Sequence, residues 1–182
     1  MFESHDPRAG NRSVAEVYSR DQIRARVVEL GAAIQEDVES GDPLLLLGLL
    51  KGSFIFMADL VRAIRRPLEV DFLQVASYGS GTETSGTVQL IHDARASLKG
   101  RAVVIVEDII DSGTTLRWLR PHLEARGPKR LDVCALLHKE KAVLEPPARW
   151  VGFQAPDEFL VGYGLDHAEA FRHLPYIGAL KT

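Results

Sequence analysis

The order of apolar and polar positions along the chain divides most of it into alternating helices and buried strands. From Asp21, apolar residues at Ile23, Val27, Val28, Leu30 and Ile34 recur at helical spacing, and Gly41-Asp42-Pro43 closes that helix. Leu44 to Leu50 then runs apolar throughout, as a strand buried on both faces must. Lys51-Gly52-Ser53 is a tight corner, after which Phe54 to Ile64 returns to helical periodicity. Leu68 to Ser77 reads as a strand carrying Glu69, Asp71 and Gln74 among apolar residues. Val88 to Ile91 and Ala102 to Val106 are further strands, separated by a polar turn around Asp93 and by Gly100. Leu116 to Ala125 is amphipathic, and Leu131 to Leu137 is again a strand. Such alternation predicts an α/β fold, with a central, mostly parallel sheet flanked by helices.

Three stretches do not fit this rhythm. Residues 1 to about 12, with Asp6-Pro7, Gly10 and Asn11, read as a loose N-terminal arm. Tyr78 to Thr87 is rich in Gly, Ser and Thr and has no aliphatic side chain to anchor it, so mobility is expected there. The last forty residues hold short apolar pieces, Trp150 to Phe153 and Phe159 to Val161, broken by Pro146, Pro147 and Pro156.

Length and charge narrow the function classes. A chain of 182 residues suits one domain (1-182) with a substantial core, and 46% apolar with 26% charged residues is ordinary for a globular protein. Lys and Arg total 22 against 25 Asp and Glu, a net charge of -3, which gives no reason to expect nucleic-acid binding. No apolar run approaches membrane-spanning length and no signal peptide is visible, so the expectation is a cytoplasmic protein with no membrane contact. The single cysteine, Cys134, lies in an apolar run and is expected in the core. The scattered histidines lack zinc-ligand spacing.

The candidate chemistry concentrates in Val103-Val104-Ile105-Val106-Glu107-Asp108-Ile109-Ile110-Asp111-Ser112-Gly113-Thr114-Thr115. A buried strand ends in two acids and enters a helix through a hydroxyl-rich turn. Unpaired N–H groups at a helix start attract a phosphoryl group. Gly113 permits close approach of the main chain, and Ser112, Thr114 and Thr115 add hydroxyl donors. Glu107 and Asp108 would repel a phosphate, so they suit ribose hydroxyls or a metal. Lys51-Gly52, directly after the first buried strand, is a second corner able to present N–H groups to an anion. Two other phosphate motifs fail. Gly81 and Gly86 have P-loop spacing, but Thr87 stands where Lys is required, and Gly79-Ser80-Gly81 lacks the third glycine of a dinucleotide fingerprint.

The thirteen-residue run closely resembles the phosphoribosyl diphosphate (PRPP) motif of the type I phosphoribosyltransferases. Its Glu-Asp-Ile-Ile-Asp and Ser-Gly-Thr-Thr wording is similar to the hypoxanthine-guanine branch. The likeness covers about residues 15 to 180 and implies that family's fold, with a small hood from terminal segments, drawn largely from about 145 to 182. It implies that Glu107, Asp108, Asp111, Ser112, Gly113, Thr114 and Thr115 bind the 5′-phosphate and ribose. Asp111 would be the catalytic base or proton relay at purine N7. Lys51, Gly52 and Arg172 would bind pyrophosphate, the Leu50-Lys51 corner often holding a cis peptide. Ser77 and Tyr78 would open a flexible loop that closes over the reacting centre.

Lys139 would hydrogen-bond the purine O6, with Lys141 as a competitor for that role. In Phe159-Leu160-Val161-Gly162-Tyr163-Gly164-Leu165-Asp166, Phe159 would stack on the base and the Leu160 backbone would bond its edge. Asp166 would approach the exocyclic amine of guanine or support Mg2+ through water. The metal set would be Glu107, Asp108 and Asp166, with Mg2+ bridging diphosphate and ribose oxygens. The implied activity is purine salvage: PRPP and a 6-oxopurine base, hypoxanthine or guanine, give IMP or GMP and pyrophosphate. A homodimer or homotetramer is expected. The rivals are a PRPP- or nucleotide-sensing regulator on the same fold, which would want a basic face, and a xanthine-preferring transferase.

Overall fold

The computed structural model describes residues 12–78 and 87–181. In chain order the elements are β1 (Ser13–Tyr18), α1 (Arg20–Asp37), β2 (Leu44–Leu50), α2 (Phe54–Ala63), β3 (Glu69–Tyr78), β4 (Thr87–His92), β5 (Ala102–Ile110), α3 (Thr114–Glu124), β6 (Arg130–Lys139), β7 (Trp150–Ala155), β8 (Leu160–Val161) and β9 (Ile177–Lys181). Ten of these twelve elements coincide with apolar runs in the sequence. The short terminal strands β1 and β9 do not, because each is too brief and too mixed in polarity to show a period.

The main sheet has six strands in the order β4-β3-β2-β5-β6-β7. All neighbouring pairs are parallel except β3 with β4. Strand alternation sorts the core into two layers. Leu44 and Leu46 of β2, Val104 and Val106 of β5 and Leu136 of β6 face α1 and α2, and Cys134 lies among them. Leu45, Leu47 and Leu49 join Val103, Ile105, Val133 and Ala135 on the other face, where Leu116, Leu119 and Leu123 of α3 cover them.

Helix α1 starts with reciprocal capping: the Ser19 N–H donates to the Gln22 side chain at 2.8 Å, and the Gln22 N–H donates to Ser19 Oγ at 3.3 Å. It lies so close to α2 that a Cβ on Gly31 would sit 2.7 Å from the Cβ of Ala63.

A second sheet, β1-β9-β8, is antiparallel and forms the hood. Its outer strand β1 comes from the N-terminal side, while β7, in the late segment, pairs with β6 in the main sheet. The hood is tied down by Tyr18, whose ring stacks on Phe153 at 4.2 Å and whose hydroxyl donates to the Gln154 carbonyl. Among the described residues no helix is long and apolar enough to cross a membrane.

Candidate active site

Helix α3 opens on a left-handed residue. Gly113 is its N-cap at φ +75°, and no side chain caps the helix. A Cβ there would meet the Val143 carbonyl at 2.9 Å, so a larger residue would be both strained and crowded. Asp111 is therefore not spent on capping. The Ser112 hydroxyl accepts from the Thr114 N–H at 3.3 Å and lies 3.1 Å from Thr114 Oγ1. Glu107, Asp111 and Ser112 to Leu116 line a hollow of about 80 Å³ at this helix start. Oriented N–H and hydroxyl groups around a small cup suit a tetrahedral anion.

The acids differ from the arrangement expected of a strand that stops before them. β5 continues to Ile110, because Glu107, Ile109 and Ile110 keep their pairing with Ala135, Leu137 and His138 of β6. Successive strand residues face opposite ways, so Glu107 and Asp108 are separated. Glu107 borders the helix-start hollow, whereas Asp108 lines a larger cleft. Burial, with the neighbouring Asp108 charge, pushes the Glu107 carboxyl well up, and among the described residues its Oε2 has no hydrogen-bond partner. Asp108 is pushed up to about 6, first by burial and slightly further by Asp166, against the backbone N–H groups of Asp108 and Ile109 and the Arg172 charge.

The cleft measures about 640 Å³ and takes its walls from the carboxyl ends of the strands and from the hood side. Lys51 follows β2 through a cis Leu50-Lys51 peptide. The Ser53 hydroxyl folds this corner back by donating to the Leu49 carbonyl at 2.6 Å. Lys139, the last residue of β6, places Nζ 2.7 Å from Asp111 Oδ1. Lys141 instead pairs with Asp157 at 2.6 Å and does not line the cleft, which favours Lys139 over its competitor. Phe159 is 55% exposed on the cleft wall, and its ring meets the His167 ring edge-on at 5.3 Å. An exposed aromatic held by an edge contact offers its face to a planar ligand.

At the opposite side, Arg172 bonds the Gly164 carbonyl at 2.8 Å and Asp166 at 2.8 Å. Gly164, at φ +103°, packs so tightly on the Lys51 corner that a Cβ would lie 2.2 Å from the Gly52 carbonyl. Lys51, Gly52, Asp108, Asp111, Lys139, Phe159, Leu160, Asp166 and Arg172, named from sequence, thus border one cleft. Ser112 to Thr115 and Glu107 border the adjoining hollow. Ser77 and Tyr78 are the last two residues of β3 and directly precede residues 79–86 in the chain. They pair with Val88 and Thr87 of β4. The Gly/Ser/Thr segment 79–86 lies outside the described residues.

Two participants escaped the sequence reading. Glu169 lines the cleft and contacts both Lys51 and Arg172. Arg117 donates to the Ser112 and Val143 carbonyls at 3.0 and 2.5 Å and to Thr114 Oγ1 at 3.0 Å. Its position five residues beyond Ser112 was the only signal, and surface arginines on helices are common.

The expected metal set is split, since Glu107 faces away from Asp108 and Asp166. Among the described residues no three His, Cys, Asp or Glu side chains are placed to hold a metal alone. Asp108 and Asp166 on one open wall, near enough that Asp166 raises the Asp108 carboxyl, still fit Mg2+ completed by ligand oxygens and water.

Comparison with known proteins agrees with this geometry. Residues 13–168 match the phosphoribosyl transferase domain family. The hypoxanthine phosphoribosyltransferase of Salmonella typhimurium is 50% identical over 159 residues, 86% of this chain and 89% of that protein. The hypoxanthine-guanine phosphoribosyltransferase of Dictyostelium discoideum is 43% identical over 91% of this chain and 94% of its own length. A crystal structure of a hypoxanthine-guanine phosphoribosyltransferase from Bacillus anthracis superposes with a TM-score of 0.86 at 42% identity, covering 94% of this chain and all (100%) of that one. With residues 13–168 matched by the family's domain and most of the chain matched by these relatives, the chain belongs to the phosphoribosyl transferase family, among the hypoxanthine and hypoxanthine-guanine phosphoribosyltransferases.

Proposed function

We propose that the protein transfers the 5-phosphoribosyl group of PRPP to hypoxanthine or guanine, giving IMP or GMP and pyrophosphate. The observation that carries this reading is the Lys139–Asp111 pair, 2.7 Å apart at the junction of the helix-start cup and the cleft. A 6-oxopurine presents O6 and N7 side by side on one edge. Lys139 is the donor suited to O6, and Asp111 is the acceptor suited to a proton on N7. An adenine amino group at the same place would meet a second donor, which disfavours it.

The other residues follow from the charges involved. The cup at Ser112 to Thr115, bordered by Glu107, takes the 5′-phosphate, and Asp108 on the cleft side accepts from ribose hydroxyls. Phe159 covers the base, and the Leu160 backbone bonds its edge. Positive charge grows at ribose C1 as pyrophosphate departs, so the leaving group must be neutralised and the ribose held still. Lys51, the Gly52 N–H and Arg172 serve the leaving group. Asp108 and Asp166 would hold Mg2+, which would supply positive charge against the diphosphate. A closing segment begun by Ser77 and Tyr78 would keep water from C1.

Release of pyrophosphate from PRPP, measured with hypoxanthine, guanine, xanthine and adenine, tests the reading. Hypoxanthine and guanine should turn over, adenine should not, and omission of Mg2+ should abolish the reaction. Preference for adenine, or no turnover with any purine, would overturn it. A gel shift with RNA and DNA checks the regulator reading, for which a net charge of -3 gives no support.

A further inference from the structure

The cations assigned to pyrophosphate are already occupied. Lys51 Nζ lies 3.1 Å from Glu169 Oε1, and an Arg172 terminal nitrogen lies 3.3 Å from the same oxygen. That Arg172 nitrogen also lies 2.8 Å from Asp166 Oδ1, and the Glu169 N–H donates to Asp166 Oδ2 at 2.8 Å. Two cations and two carboxylates therefore close on one another with no net charge. Yet the proposed leaving group is a polyanion that must sit between Lys51 and Arg172. It has to find an uncompensated cation, bring its own, or displace an anion.

The two carboxylates are not equally able to move. Asp166 accepts from a backbone N–H as well as from Arg172. Glu169 is 54% exposed, and among the described residues its carboxylate meets only the Lys51 ammonium and one Arg172 nitrogen. The turn that presents it is unusual, since Ala168 and Glu169 take φ of +51° and +66°. Non-glycine residues rarely adopt that conformation, and here it turns the Glu169 side chain back toward the cleft. The Lys51 hydrogen bond and the Arg172 charge hold the Glu169 carboxyl below its ordinary range, so it is ionised at neutral pH.

We propose that Glu169 is the resident counter-ion of the pyrophosphate subsite, holding Lys51 and Arg172 in the free protein and competing with pyrophosphate for them. The idea rests on the transferase reading above. It gives the residue a purpose that neither bond making nor base recognition requires: limiting product affinity so that pyrophosphate leaves. A site that neutralised the leaving group without competition would bind the product as strongly as it helps the reaction.

The test is pyrophosphate binding, by calorimetry with Mg2+ and by product inhibition, in the wild-type chain, Glu169→Gln and Glu169→Asp. Gln keeps the size and one acceptor but loses the charge. It should bind pyrophosphate about 5- to 30-fold more tightly, a change of roughly 1–2 kcal/mol. IMP affinity should not change, and pyrophosphate release in pre-steady-state assays should slow. Asp, which keeps the charge, should stay closer to wild type. Unchanged or weaker pyrophosphate binding by Glu169→Gln, with normal wild-type turnover, would overturn the counter-ion role alone. Absence of pyrophosphate binding and of PRPP-dependent turnover in the wild type would overturn the transferase reading with it.

Discussion

Gly52 and Asp108 touch in a way that only glycine allows: a Cβ on Gly52 would lie 1.8 Å from Asp108 Oδ2 and 2.5 Å from its Cγ. The Lys51 corner and the acid of β5 are thereby locked together, although 56 positions in sequence separate Gly52 from Asp108. Gly52→Ala must push the carboxylate away or open the corner. Displacement of about 1 Å in a positioning group can cost roughly 10²-fold in rate. Gly52→Ala should therefore lose about that much kcat/KM, with circular dichroism checking that the variant is folded. Near-wild-type turnover would show that the Asp108 carboxylate has no fixed role.

The Lys139–Asp111 pair separates two roles that kinetics can distinguish. Asp111→Asn removes a proton acceptor and should lower kcat by about 10²–10⁴-fold, the usual value of general acid–base catalysis. Lys139→Ala removes a donor to the base and should raise KM for hypoxanthine much more than KM for PRPP. Equal losses for both substrates would remove the base-recognition role. Normal turnover of Asp111→Asn would remove the acid–base role.

Asp71 supplies a pH-dependent anchor beneath the chain that follows β4. It accepts from the N–H groups of Arg95 at 2.7 Å, Ala96 at 2.8 Å and Phe72 at 2.8 Å. Burial raises its carboxyl, but the three N–H donors and the His92 charge outweigh burial, so the net position is below 3.8. A lowered carboxyl stabilises the folded chain fully above its unfolded value and loses that contribution as pH falls through the folded value. In urea titrations wild type should exceed Asp71→Asn in stability at pH 6–7, and the two should converge as pH drops below about 4. A gap that persists at the acid end would contradict the anchoring role.

The fold was legible wherever an apolar run was long enough to display a period. β2 and β5 are buried on both faces, so their sequences are apolar almost without interruption. β1 and β9 contribute to a small sheet in which polar and apolar residues mix, and no local signal marks them. The candidate site was legible where its chemistry is clustered in sequence, as in Glu107 to Thr115. Separation of Glu107 from Asp108 follows from strand alternation, but only once β5 is known to extend past them. Glu169 was hidden because its meaning comes from Lys51, 118 positions away. A long-range ion pair leaves no trace in either local segment.

Arg117 was hidden for a different reason: its partners are mostly backbone carbonyls, which have no sequence identity. Its guanidinium spans the Ser112 carbonyl, Thr114 Oγ1 and the Val143 carbonyl. It thus ties the helix-start cup to the chain that follows Lys139. Charged hydrogen bonds of this kind contribute about 1.5–3 kcal/mol each when well formed, less where solvent competes. Arg117→Ala should therefore loosen the phosphate cup without altering the catalytic groups. The expected result is a rise of about tenfold in KM for PRPP, with kcat within about threefold of wild type and a small loss in thermal stability. Arg117→Lys, which can satisfy one carbonyl but not the whole fork, should recover only part of the PRPP affinity. Loss of stability without any change in KM for PRPP would make Arg117 a structural residue and nothing more.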